Sequence, residues 1–416
     1  MTDDHLNPRK ISSFHPPQRT LMGPGPSEIN PRVLAAMSLP AIGYLDPAFV
    51  GMMEELKTLL RYAYRTDNPL TFPVSGPGSV GMESCFVNMV TPGMKVVVCR
   101  NGVFGGRMIE NVQRCGGTAI IVDDTWGEPV DPQKVEDALV AHPDARIVAF
   151  VQAETSTGCL SDASTLSALA HAHDALVIAD AVTSLGGSRL EVKAWELDAV
   201  YSASQKCLSC TPGLAPVSFS ERVVDFVKQR KEKVHSWFLD LGLILNYWGE
   251  TTRTYHHTAP INGLFALHEA LLLLREEGIE QAWARHQRHY LAFRAGIEAM
   301  GLEFLVREDA RLPQMSAVYV PDGANEAQVR RTLLSEFNLE IGAGLGPLAG
   351  KIWRFGLMGY SCKPENVMLC LSALGSVLSD MGLPIKVGEA EAAAHHSYAL
   401  QHANAARQAR ERALTN

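Results

Sequence analysis

The feature that most constrains this 416-residue chain is a repeated alternation through its middle. Apolar runs of strand length fall at 95–99, 119–122, 146–151, 176–180, 199–202 and 215–219. Between the earlier runs, residues 104–114, 131–141 and 162–172 carry apolar side chains at helical intervals. A run that is apolar on both faces has to be covered on both faces, so the pattern predicts an α/β fold with a mostly parallel sheet between helices. Ligands in such sheets gather beyond the carboxyl ends of the strands. Thr155, Asp180 and Lys206 fall at or just past such ends.

The flanks read differently. Residues 1–20 are polar, contain Pro16-Pro17 and predict an arm. Gly23-Pro24-Gly25-Pro26-Ser27 is a rigid turn, helices are expected over 31–37 and 46–65, and a further helix over 80–90. Past 275 the rhythm changes to a long helix (278–300), a strand (316–320), a helix (326–337), strands at 339–341 and 351–356, and a helix (364–381). The expected organisation is therefore an arm (1–20), a large domain (21–275), a smaller C-terminal α+β domain (276–385) and a helix-prone or flexible tail (386–416).

Composition removes several function classes. Net charge is −8 and no Lys/Arg block occurs, which argues against a nucleic-acid surface. No apolar run reaches bilayer length, which argues against a membrane partner. The first residues, Met1-Thr2-Asp3-Asp4-His5, lack a signal-peptide core and favour the cytoplasm. Eight cysteines without a dense framework read as reduced thiols. Cys207-x-x-Cys210 lacks a second pair, and His171-x-His173, His256-His257 and His395-His396 lack companions at ligand spacing, so no metal is expected.

The chemistry concentrates at Tyr201-Ser202-Ala203-Ser204-Gln205-Lys206. The lysine ends a nearly uncharged segment where the chain turns, and a partly desolvated amine has a lowered pKa that frees it to attack an aldehyde. Asp180 ends an apolar run 26 positions earlier. It is either a strand-end cap or a carboxylate held against a ring nitrogen. Ser75-Gly76-Pro77-Gly78-Ser79 can cradle a phosphate on a helix N-terminus. Together the three stretches point to pyridoxal phosphate. Gly76, Gly78 and Gly81 also match a dinucleotide fingerprint, but the expected acid is replaced by Cys99-Arg100-Asn101, leaving only an NADP-type version through Arg100.

These motifs, in order, resemble the class V (fold type I) aminotransferases of the alanine–glyoxylate and serine–pyruvate branch. The matches span roughly residues 20–385: Gly23–Ser27, Arg65-x-x-Asn68-Pro69-Leu70-Thr71, the Ser75–Ser79 loop, Asn101–Gly105, Glu154-Thr155-Ser156-Thr157-Gly158, Asp180–Gly187, Ser202–Lys206, Tyr255–Thr258 and Trp353–Gly356. The resemblance implies that Lys206 forms the Schiff base and then moves a proton between substrate Cα and cofactor C4′. It implies that Asp180 pairs with the pyridine nitrogen, and that Gly78, Ser79 and Gln205 hold the phosphate. Tyr255 and Thr258 would reach that phosphate from the other subunit of a homodimer. Thr155 would bond the ring hydroxyl, Phe104 would stack on the ring, Arg354 would bind the substrate carboxylate, and Gly25 and Tyr44 would line the substrate pocket.

Three positions depart from the family pattern. Phe104 stands where tryptophan is frequent, Pro77 removes an amide donor from the phosphate loop, and Tyr44 lies where branches vary. Residues 350–362 resemble the ureidoglycine–glyoxylate branch, whereas Tyr255-His256-His257-Thr258 resembles the alanine–glyoxylate branch. The expected activity is ping-pong transfer of an amino group between a small amino acid and a small 2-oxo acid. The alternatives are a ureidoglycine–glyoxylate transaminase, or a lyase or desulfurase of the same fold using Cys210 or Cys362.

Overall fold

The computed structural model describes residues 13–249 and 254–415, with side chains through residue 404 and at 407. Residues 1–12 of the expected arm and residue 416 of the tail lie outside the described residues. The chain opens with β1 (Thr20–Leu21), α1 (Pro31–Met37), α2 (Pro47–Tyr64), β2 (Leu70–Ser75), α3 (Gly78–Met89), β3 (Lys95–Arg100), α4 (Val103–Arg114) and β4 (Thr118–Asp123). There follow α5 (Pro132–Ala141), β5 (Ala145–Val151), β6 (Ala153–Glu154), β7 (Cys159–Leu160), α6 (Ala163–Ala172), β8 (Leu176–Asp180), β9 (Ala199–Tyr201) and β10 (Leu214–Phe219). Then come α7 (Glu221–Gln229), α8 (Leu241–Trp248), α9 (Ile261–Glu277), α10 (Ile279–Ala299), β11 (Met315–Tyr319) and α11 (Glu326–Glu336). The chain ends with β12 (Leu339–Glu340), β13 (Gly342–Ala343), β14 (Ile352–Gly356), α12 (Pro364–Asp380) and α13 (Glu389–Thr415).

Local chemistry explains most boundaries. Asp46, Asp131, Asp162, Ser220 and Asn325 each accept a first-turn amide with the side chain. Proline stands in the first turn of α1, α2, α5 and α12, where its missing N–H leaves no helical bond unmade.

The main sheet has seven strands in the order β2-β10-β9-β8-β5-β3-β4. The ladders β9-β8-β5-β3-β4 are parallel, and β10 runs against both β9 and β2. One contiguous apolar core joins this sheet to α2, α3, α6 and α9. A three-stranded antiparallel sheet, β11-β14-β13, lies with α10, α11 and α12 around a second core built on Phe293, Trp353, Phe355 and Leu374. Met22 belongs to this second core, and β1 pairs in parallel with β12, so the segment leading into Gly23–Ser27 is anchored far along the chain. The tail forms α13, whose buried Ala390 and Ala394 pack in that core.

The candidate active site

Sheet pairing builds the centre of the site. Asp180 and Tyr201 are directly opposed at the ends of β8 and β9. The Tyr201 hydroxyl donates to Asp180 Oδ2 at 2.7 Å, and the Val182 amide donates to Oδ1 at 2.8 Å. Asp180 is buried, and burial pushes its carboxyl up to about 7 against these donors. A protonated ring nitrogen supplies the positive charge that such a carboxylate needs.

Beyond β9 the chain turns, and Lys206 sits in that turn. Its main-chain oxygen accepts from Ser27 Oγ at 2.8 Å and from the Ser209 amide at 3.0 Å. Its Nζ reaches the Pro24 carbonyl. Burial first, and the Arg354 guanidinium second, push the amine down to about 8. Gly25 lies against this amine: a Cβ there would meet Lys206 Nζ at 2.5 Å, and φ is +109°. Gly25 thus packs against the Lys206 side chain, which is consistent with a largely desolvated amine.

Arg354 is the middle residue of β14 and is buried. Its Nε donates to the Ala343 carbonyl at 2.6 Å and its Nη1 to the Thr155 carbonyl at 3.1 Å, and burial lowers its pKa to about 10. Thr155 is buried beside Glu154, which in turn accepts from the Phe104 amide at 3.1 Å. The Phe104 ring is half-buried, with the Arg107 guanidinium 4.8 Å from its centroid.

Gly78 and Ser79 open α3, and Ser79 is exposed. A Cβ at Gly78 would meet Ala203 at 2.9 Å, and one at Gly81 would meet Ala215 at 3.0 Å. Two of the fingerprint glycines therefore let α3 press against β9 and β10. The Gln205 side-chain oxygen is buried without a hydrogen-bond partner, and the NH₂ of the same amide is the end able to donate to a phosphate. The buried carboxylate of Asp180, the lowered amine of Lys206 and this cradle fit pyridoxal phosphate.

Tyr255 and Thr258 are not drawn into this constellation within one chain. Their hydroxyls face each other at 3.3 Å, and Tyr255 is 56% exposed. Tyr44, half-buried, lies against Tyr255 at 5.3 Å between centroids, the rings tilted by 33°. His257 Nε2 approaches Ser75 Oγ at 3.4 Å, which brings this segment beside the start of the phosphate loop.

Tyr201, Ser27 and Pro24 are functional neighbours that spacing alone does not reveal. Tyr201 is discoverable only once β8 and β9 are paired, because its hydroxyl matters through the residue opposite it. The rival readings lose ground. Arg100 forks onto Asp123 at 2.9 and 2.7 Å and so is engaged. Cys210 and Cys362 are buried, with burial raising their thiols to about 11 and about 12, the opposite of an activated nucleophile.

Comparison with known proteins agrees with this geometry. The aminotransferase class-V profile matches residues 53–363. The chain belongs to the class-V aminotransferase family. It is 37% identical over 412 residues to the (S)-ureidoglycine–glyoxylate transaminase of Bacillus subtilis, covering 94% of this chain and 97% of that one. It is 36% identical over 365 residues to the alanine–glyoxylate aminotransferase of Mus musculus, covering 87% and 88%. A solved structure of the Bacillus subtilis ureidoglycine–glyoxylate aminotransferase aligns with a TM-score of 0.91 at 38% identity, covering 93% of this chain and all of that one. A solved alanine–glyoxylate aminotransferase from Nostoc sp. aligns at 0.88 and 41%, covering 91% of this chain and 100% of that one. The family member is a transaminase, its fold is that of type I pyridoxal-phosphate enzymes, and its cofactor is pyridoxal phosphate.

Proposed function

We propose that this aminotransferase moves an amino group between a small amino acid, alanine or serine, and a small 2-oxo acid, glyoxylate or pyruvate. The observation that carries the reading is the largely desolvated amine of Lys206, packed against Pro24 and Gly25, with the buried Arg354 guanidinium close enough to lower its pKa. Bound pyridoxal phosphate supplies an electron-accepting ring. Asp180 holds a positive charge on the ring nitrogen. Lys206 would hold the cofactor through its amine and, once the substrate amine takes that place, would be the group that moves the substrate's Cα proton. Arg354 forks onto the substrate carboxylate and orients Cα–H. Gly78, Ser79 and Gln205 hold the phosphate, Thr155 the ring hydroxyl, and Phe104 the ring face. Gly25 and Tyr44 limit the substrate to a small side chain. Product leaves before the second substrate enters, which is ping-pong order.

A second reading takes ureidoglycine as the amino donor. The Bacillus subtilis relative bears that name and matches over nearly its full length. A donor panel with glyoxylate as acceptor separates the two, since each predicts a different best donor.

A homodimer with shared sites is part of the proposal. Leu34, Met37, Leu39, Ile42 and Leu45 are exposed on one stretch, and Trp237, Leu243 and Tyr255 are exposed large apolar residues as well. The Tyr44–Tyr255 ring contact links the two groups. An apolar surface of this kind is suited to a second copy, which would receive Tyr255 and Thr258 at its phosphate. Eight free, buried cysteines support a reducing, cytoplasmic compartment. No helix among the described residues is long and apolar enough to cross a membrane.

Lys206→Ala tests the core of the reading. Turnover is expected to fall by about three orders of magnitude or more, the scale of a lost proton-transfer group and covalent attachment together. Borohydride should fix the cofactor's absorbance to the peptide containing Lys206 in the parent enzyme only. Near-normal turnover in the variant would remove Lys206 from the mechanism.

A further inference from the structure

Glu154 is fully buried, yet none of the roles above uses its carboxylate. Its Oε1 accepts from the Ser156 amide at 2.9 Å and from Ser156 Oγ at 2.6 Å. Its Oε2 accepts from the Phe104 amide at 3.1 Å. Ser156 Oγ also accepts from the Val103 amide at 3.0 Å. The carboxylate therefore sits on the first turn of α4, where unpaired amides and the helix dipole favour an anion. Room for it comes from Gly102, since a Cβ there would strike Glu154 Cγ and Cδ. Burial raises the carboxyl, and the donors from Ser156, Phe104 and Gly105 oppose that rise. In the other direction, residue 154 leads into Thr155, whose carbonyl accepts from Arg354. The negative charge at 154 also favours the protonated guanidinium of Arg354.

We propose that Glu154 is a positioning residue that ties the Phe104 turn of α4 to the Thr155 carbonyl holding Arg354, so that the ring-stacking and carboxylate-binding groups keep one spacing. The inference rests on the assignment of Phe104 to the cofactor ring and Arg354 to the substrate carboxylate. A merely structural Glu154 would hold the fold together without setting that spacing. The two differ in what a charge-removing variant of similar shape changes.

Glu154→Gln leaves a side chain of the same length but faces an NH₂ toward amide donors. The apo protein should bind pyridoxal phosphate about tenfold more weakly, and KM for the amino donor should rise about tenfold with kcat changed less than threefold, because displaced groups weaken binding of ground and transition state alike. Ser156→Ala deletes one oxygen and should shift both constants the same way by about threefold. Should Glu154→Gln fail to fold, Ser156→Ala decides alone. Cofactor and donor constants within twofold of the parent, in every variant that folds, would overturn the proposal whatever happens to melting temperature. Failure of the underlying reading looks different: the parent enzyme itself would then yield no borohydride-fixed cofactor at Lys206.

Discussion

At the scale of single residues, the site is governed by what burial does to charge. Lys206 is pushed from an ordinary 10.5 to about 8 by burial, with Arg354 adding to the shift. Only the neutral amine attacks an aldehyde, and the neutral form predominates above that value. Capture of pyridoxal phosphate by the apo enzyme should therefore accelerate as pH rises through about 8 and level off above it. Removing the neighbouring cation in Arg354→Gln favours the charged amine, so the midpoint should move to higher pH. Stopped-flow absorbance reads both curves, and a midpoint that stays put or falls would contradict the arrangement. Gly25 allows a second test at this scale. Gly25→Ala places a methyl 2.5 Å from Lys206 Nζ at a φ of +109° that L-residues avoid. Cofactor capture should slow at least tenfold, while the far-ultraviolet spectrum is retained.

At the scale of elements, Asp198, the residue before β9, joins β8 to α6 and to α7 with its cap Ser220. This buried carboxylate accepts from the Val177 amide at 2.9 Å and from Ser220 Oγ at 2.9 Å, forms an ion pair with Arg222 Nε at 3.0 Å, and meets His171 Nε2 at 2.9 Å. Asp198→Ala leaves those groups without their acceptor, which should cost about 3 kcal/mol. Denaturant unfolding measures it, and a loss under about 1 kcal/mol would show that the network repairs itself with water. Elements are also where reading from sequence succeeded unevenly. The runs at 95–99, 119–122 and 176–180 became β3, β4 and β8 within a residue at each end; β3 and β8 are buried on both faces, whereas β4 is the edge strand and leaves Ile121 exposed. β2 escaped notice because Pro73 interrupts it. In the sheet Pro73 lies opposite Pro216 at an edge, where a missing donor is tolerated. The helices α7, α8 and α9 lie in a region that the alternation did not describe. β10 was expected, but its reversed direction depends on pairing with β2 and β9 that a single apolar run does not encode.

At the scale of the whole molecule, the exposed apolar stretch from Leu34 to Leu45 and the exposed Trp237 and Tyr255 predict a second copy. Trp237→Asp should convert a species of two chains into one of a single chain in sedimentation. Activity should fall with it, because Tyr255 and Thr258 would no longer complete a neighbouring phosphate site. A parent enzyme that is monomeric and active at nanomolar concentration would defeat this expectation.

Sequence alone determined the mostly parallel α/β plan and placed a lysine at a turn and an aspartate at a strand end. Periodicity and local charge suffice for those, since both are properties of short stretches. Tertiary structure alone decided that Tyr201 donates to Asp180, that Pro24 and Gly25 close over Lys206, and that Glu154 bridges α4 to Arg354. Those contacts join residues far apart in the chain: pairing of β8 with β9 brings Tyr201 to Asp180, and tertiary packing brings Pro24 to Lys206 and Arg354 to the Thr155 carbonyl.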